Sequence, residues 1–149
     1  MVRTRHLVAI ILTVLFSVSI FFKTRDFIPS FIFITATARM TLTHTVLFQF
    51  KADANRDDVK AACTRFLALQ QNCLHPTTQT PYIISLKGGK DNSPEGLQNG
   101  ITHGFVVGFA TAEDRDYYVA KDPAHLAFVK SIDGLVEKAT VVDFTNGVF

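Results

Sequence analysis

Three of the five histidines, His44, His103 and His125, stand where the surrounding pattern is large and apolar. A neutral imidazole with an ordinary pKa of about 6.5 can take a proton from an acidic carbon and return it later in the same reaction. Two tyrosines, Tyr117 and Tyr118, precede His125 by about two helical turns. A phenol can donate a hydrogen bond to an oxygen on which negative charge develops. Acid–base chemistry on a small carbonyl compound is therefore the reaction class these residue types suit, with His125 as base and Tyr118, or alternatively Tyr117, as its partner. The competing reading is plain packing, in which each histidine is a core residue with one satisfied hydrogen bond and the tyrosines pack or reach solvent. Three imidazoles with an open fourth position would also suit catalytic zinc. Each would need an acceptor behind it, and no carboxylate falls on the apolar faces, so no metal is expected.

Periodicity supplies the frame around these side chains. Thr41 to Lys51 alternates, with Leu42, His44, Val46, Phe48 and Phe50 on one face, which is a strand. Asp53 or Asn55 can cap the next helix, which carries Val59, Ala62, Cys63, Phe66, Leu69 and Cys73 at spacings of three or four. Pro81 to Gly88 reads as a second strand, and the polar stretch from Gly88 to Gly100 as a long loop. That loop lacks the Lys-Ser/Thr ending of a phosphate loop, so nucleotide is not expected, and no cofactor is implied. Ile101 to Phe109 alternates again, placing His103 with Phe105 and Phe109. Thr111 can cap a helix over about 112–120, with Glu113 and Asp114 in its first turn. Pro123 breaks that helix and begins another, in which His125, Phe128, Val129 and Ile132 form one stripe. Lys138 to Phe144 supplies the fourth strand.

The order β-α-β-β-α-β, with its second helical region split at Pro123, predicts an α+β protomer of ferredoxin-like type: an antiparallel sheet with helices on one face only. The first and third strands are then central neighbours, so His44, His103 and His125 are expected to converge between sheet and helices. Phe48, Phe105 and Phe128 would line an apolar pocket there, suited to a small apolar ligand. The other face would carry Leu47, Ile83, Val106 and Val141, too apolar to leave in water. A second copy packed sheet face to sheet face would bury it, which predicts a homodimer.

Composition sets further bounds. The chain has 149 residues and a formal net charge of +2, enough for one ordinary domain plus an extension. Its cations are scattered, so nucleic acid is not an expected partner. Cys63 and Cys73, ten residues apart in one helical pattern, would lie about 15 Å apart along the axis, too far for a disulfide. The domain is read as residues 40–149, and residues 1–39 differ in kind. Leu7 to Phe22 carries no charge and is flanked by Arg3, Arg5 and His6 before and Lys23 and Arg25 after. It reads as an N-terminal membrane anchor. Two alternatives stay open: an organelle presequence, or an extension ahead of a true start at Met40 that would leave the protein cytoplasmic.

The residues also resemble a known family, the stress-responsive dimeric α+β barrel domain. The segments that carry the likeness are THTVLFQFK at 43–51, GGKDNSPEGLQNGITHGFVVGF at 88–109 and YYVAKDPAHLAF at 117–128. The resemblance spans about Thr41 to Phe144 and implies a ferredoxin-like protomer whose dimer closes into a barrel. Members include a plant polyketide cyclase that closes a linear polyketide by aldol chemistry. The likeness to it implies His44 and His103 as pocket residues, His125 as the catalytic histidine, and a catalytic tyrosine at Tyr118 or Tyr117. The interval from tyrosine to histidine is longer here by one or two residues, which alters the tyrosine's aim. The function this implies is that of a stress-response domain binding a small apolar molecule, or else of a cofactor-independent cyclase or lyase.

Overall fold

The computed structural model describes residues 42–149. The apolar run at 7–22 lies outside them. Among the described residues no helix is long and apolar enough to cross a membrane.

Among the described residues seven elements run in order: β1 (Leu42–Phe50), α1 (Arg56–Asn72), β2 (Ser85–Lys90), β3 (His103–Phe109), α2 (Ala112–Ala120), α3 (Pro123–Ser131) and β4 (Val136–Thr145). The strands form one antiparallel sheet in the order β2-β3-β1-β4. Alternation in β1 is strict: His44, Val46, Phe48 and Phe50 are buried, and the residues between them are not. Opposite residues of an antiparallel pair share a face, so Phe105, Val107 and Phe109 of β3 join that side. Phe66 and Leu69 of α1, Tyr118 of α2 and Phe128 of α3 close the core over it. This is the α+β arrangement with helices on one face only.

The helix starts are held by the expected caps. Asn55 accepts from the backbone N–H of Asp57 at 2.8 Å, and Thr111 accepts from that of Asp114 at 3.1 Å. Asp122 caps α3 just before Pro123, accepting from the N–H groups of Ala124 at 2.8 Å and His125 at 3.0 Å.

Three expectations need correction. The second strand lies over Ser85–Lys90, later than Pro81–Gly88 and running through both glycines. Pro81 instead bridges to Leu74. The Phe105 ring occupies the space beside Gly88, where a Cβ would also lie 2.5 Å from the Gly104 carbonyl oxygen. That glycine serves a close crossing of strand and ring rather than a loop. The second correction is to the outer face. Val46 pairs with Val141, so Val141 points to the helix side, and Ile83 is buried in the core. The outer face carries Leu47 and Val106 with Val142 and Phe144, which stand opposite Thr45 and Thr43. The third is to the convergence of three histidines. His44 pairs with Val107, whereas His103 pairs with Phe48. Four residues at 3.4 Å rise put His103 about 14 Å further along the sheet.

Candidate functional site

A cleft of about 620 Å³ opens between the β1–β4 side of the sheet and helices α2 and α3. Each wall comes from a periodicity. β1 contributes His44, Val46 and Phe48; β4 contributes Ala139, Val141 and Asp143; and α3 contributes His125, Phe128 and Val129. Val119, Val129 and Val141 are 44%, 47% and 52% exposed around it, so its mouth is apolar surface left open to solvent.

The polar groups gather at one end. His44 is buried, and its Nδ1 lies 2.6 Å from Asp143 Oδ1. The other carboxylate oxygen of Asp143 accepts from Arg115, which also donates through Nε to Asp116 at 2.8 Å. An ionised carboxylate only accepts, so His44 Nδ1 must carry the proton. That fixes the ring's orientation, with Nε2 as the nitrogen that Asp143 does not hold. β4 places Asp143 there because Asp143 is His44's partner in the register.

His125 faces the same cleft under different constraints. Its ring lies 3.9 Å from that of Tyr118, tilted by 33°. Its Nδ1 is buried without a hydrogen-bond partner, as is the Tyr118 hydroxyl. A buried orphan of this kind costs about 1–3 kcal/mol, and functional sites are where such costs are kept. Burial, and after it the charge of His44, push the His125 pKa below the ordinary histidine value. Burial also drives the Tyr118 phenol well above the usual tyrosine range.

The corner between α2 and α3 fixes where His125 sits. Asp122 is fully buried there. Besides capping α3 it accepts from the Tyr82 hydroxyl at 2.9 Å. Burial and the Asp122 carboxylate hold the Cys73 and Tyr82 pKa values far above their ordinary ones.

Of the residues expected at the site, His44, His125, Phe48 and Phe128 come together around this cleft. Tyr118 lies behind it, fully buried, with its ring centroid 5.8 Å from that of His44 and 5.2 Å from that of Phe109. Tyr117 points away, 5.8 Å from the Tyr82 ring. His103 and Phe105 line a second cleft at the other end of the sheet. Asp143 and Arg115 were not anticipated. An acidic residue interrupting the apolar run Val141, Val142 and Phe144 is the signal that could have found Asp143. Among the described residues no three His, Cys, Asp or Glu side chains cluster as a metal site would need, and both cysteines are free thiols.

The sheet, its single helical layer and the cleft between them define an α+β protein of ferredoxin-like fold. The chain belongs to the stress responsive A/B barrel domain family, whose model matches residues 42–146. A solved structure from Arabidopsis thaliana is 27% identical with a TM-score of 0.61, over 72% of this chain and 97% of that one. The hydroxynitrile lyase of Passiflora edulis is 22% identical with a TM-score of 0.62, over 74% and 98%. A dimeric protein of unknown function and ferredoxin-like fold from Bacteroides fragilis is 19% identical with a TM-score of 0.52, over 70% and 95%. No curated protein matches the chain.

Proposed function

We propose that the protein is a homodimer whose protomers each bind a small, largely apolar molecule in the cleft beside His44 and His125. The apolar run at residues 7–22 would be its membrane tether. The observation that carries the ligand reading is the cleft itself. Its walls are Val, Phe and Ala side chains, and its polar groups are concentrated at one end. A ligand with an apolar body and one or two carbonyl or hydroxyl oxygens matches that distribution. The ligand oxygens would meet His44 and His125, both of which line the cleft.

Nonane-2,4-dione is a suitable probe, with an apolar tail and two carbonyls. Calorimetric titration of the full-length chain should give saturable binding with a Kd below about 1 mM. Val141→Trp fills the cleft and should abolish it. Equal binding by both proteins, or no saturable binding by the wild type, would overturn the reading.

A second reading adds turnover, and the observation that favours it is a His125 whose pKa burial lowers, beside a His44 held by Asp143. In an aldol ring closure, His125 would take the proton from the carbon between two carbonyls. The enolate carbon then forms a bond to a carbonyl carbon of the same chain, and the alkoxide left there takes the proton back from the imidazolium. Tyr118 would orient His125 through its ring. The fold neighbour from Passiflora edulis, a hydroxynitrile lyase, fits a reading as a lyase or cyclase. Incubation with a linear triketide, followed by chromatography, separates the two readings. Cyclised product that disappears in His125→Ala, with thermal unfolding unchanged, supports catalysis. Equal turnover in the variant removes His125 as the base.

A further inference from the structure

We propose that the cleft at the opposite end of the sheet is a second ligand site, taking an amphipathic anion: an apolar body that carries a carboxylate or phosphate. This cleft, of about 640 Å³, lies where α1 begins over the β1–β3–β2 end of the sheet. Phe50, Val59 and Phe105 form its apolar part, and Lys51, Arg56, Lys60 and Lys90 its cationic part. Among the described residues no carboxylate lines it, and none of the four cations forms an ion pair. The whole chain is nearly balanced, with 15 Lys and Arg against 13 Asp and Glu. Four unpaired cations around one apolar cavity are thus a local excess, and it sets the sign of the ligand.

His103 supplies a directional group at the same place. The Thr102 hydroxyl donates to the Phe48 carbonyl at 3.1 Å and accepts from the Phe50 N–H at 3.2 Å. Its single hydrogen is thereby used, so His103 Nδ1, 3.0 Å away, must donate to it. The ring edge is packed against Phe50, with centroids 5.0 Å apart. Nε2 is left as the variable atom: a bare lone pair in the neutral ring, a donor to an anion in the protonated one. Burial, followed by the charge of Lys90, holds the His103 pKa below its ordinary value. The other groups facing it are Lys51 after β1, Arg56 and Lys60 of α1, all cationic, and Cys63, whose thiol burial keeps protonated. Asp53, Asp57 and Asp58 do not line the cleft. An anion bound there supplies the missing negative charge, so it raises the His103 pKa.

The test is an NMR titration of the full-length chain with decanoate, decyl phosphate and decanol. At least one anion should bind saturably and raise the His103 pKa by ~0.5 unit or more, and which of them binds identifies the headgroup. Lys51→Glu with Lys90→Glu should weaken that anion about tenfold, or 1.4 kcal/mol, and leave decanol within about twofold. Should the reversed pair fail to fold, the milder Lys51→Gln with Lys90→Gln reports the same loss in part. The proposal is overturned if neither anion binds saturably, if the charge changes leave anion affinity within about twofold, or if the anion moves the His125 resonances and not those of His103.

Discussion

His125 sits where two requirements conflict. Its ring is held by Tyr118 at 3.9 Å and its Nδ1 is buried without a partner, which disfavours the imidazolium, yet it borders a cleft open to solvent, where an imidazolium would be hydrated. Burial comes first among the causes of its lowered pKa and the charge of His44 second. The consequence for stability has a definite sign. Below about pH 6.5 the unfolded chain takes up a proton at this residue, and the folded chain does so only at lower pH. The unfolded state then binds more protons, so stability falls as pH drops from about 6.5 to the lowered pKa and is fully present above that window. Urea unfolding of the full-length chain at pH 7.5 and pH 5 should show this loss. His125→Gln, which cannot titrate, should lose less between the two pH values. An identical loss in both proteins would mean that His103, shifted in the same direction by burial and Lys90, carries the effect instead.

At the scale of elements, what was legible in the sequence is what a single segment specifies. The inward set of β1, the caps of α1 and α2 and the break at Pro123 are local matters of period and hydrogen bonding, and they stand where the residues put them. The role of Asp143 was not legible, because it arises from the pairing of β4 with β1 across a register shift at Gln49/Phe50. No single segment encodes which residue of β4 will stand opposite His44. The same holds for Gly88, which in isolation looks like the start of a loop and in the sheet is the gap that Phe105 fills. Because backbone as well as side chain bounds that gap, the neighbouring ring cannot relieve the clash alone. Gly88→Ala should therefore destabilise the fold by about 1–3 kcal/mol, read as a lower urea midpoint with unchanged slope. Gly89→Ala, whose Cβ would meet nothing within 4 Å, should stay within about 0.5 kcal/mol of wild type. Equal effects at the two positions would mean that strand β2 shifts to accommodate the methyl.

At the scale of the molecule, the described residues cover one face of the sheet and leave the other open. Val142 and Phe144 are 52% and 47% exposed on the open one, beside Leu47 and Val106, so an apolar strip crosses three strands. β4 is also an edge strand, with unpaired backbone groups along one side. A second copy packed on this face would cover the strip and brace β4, whose alternate residues Val141 and Asp143 form a wall of the cleft beside His44. Dimerisation and ligand binding should therefore be coupled through one strand. Sedimentation equilibrium of the full-length chain should give the dimer mass at micromolar concentration. Val142→Asp with Phe144→Asp sets like charges against each other across the twofold and should give the monomer mass. The same variant should bind the diketone more weakly, although neither substituted residue lines the cleft, because β4 loses its brace. A monomer that binds the diketone as tightly as the dimer would show β4 to be held by β1 alone, and a wild-type chain that sediments as a monomer would remove the dimer itself.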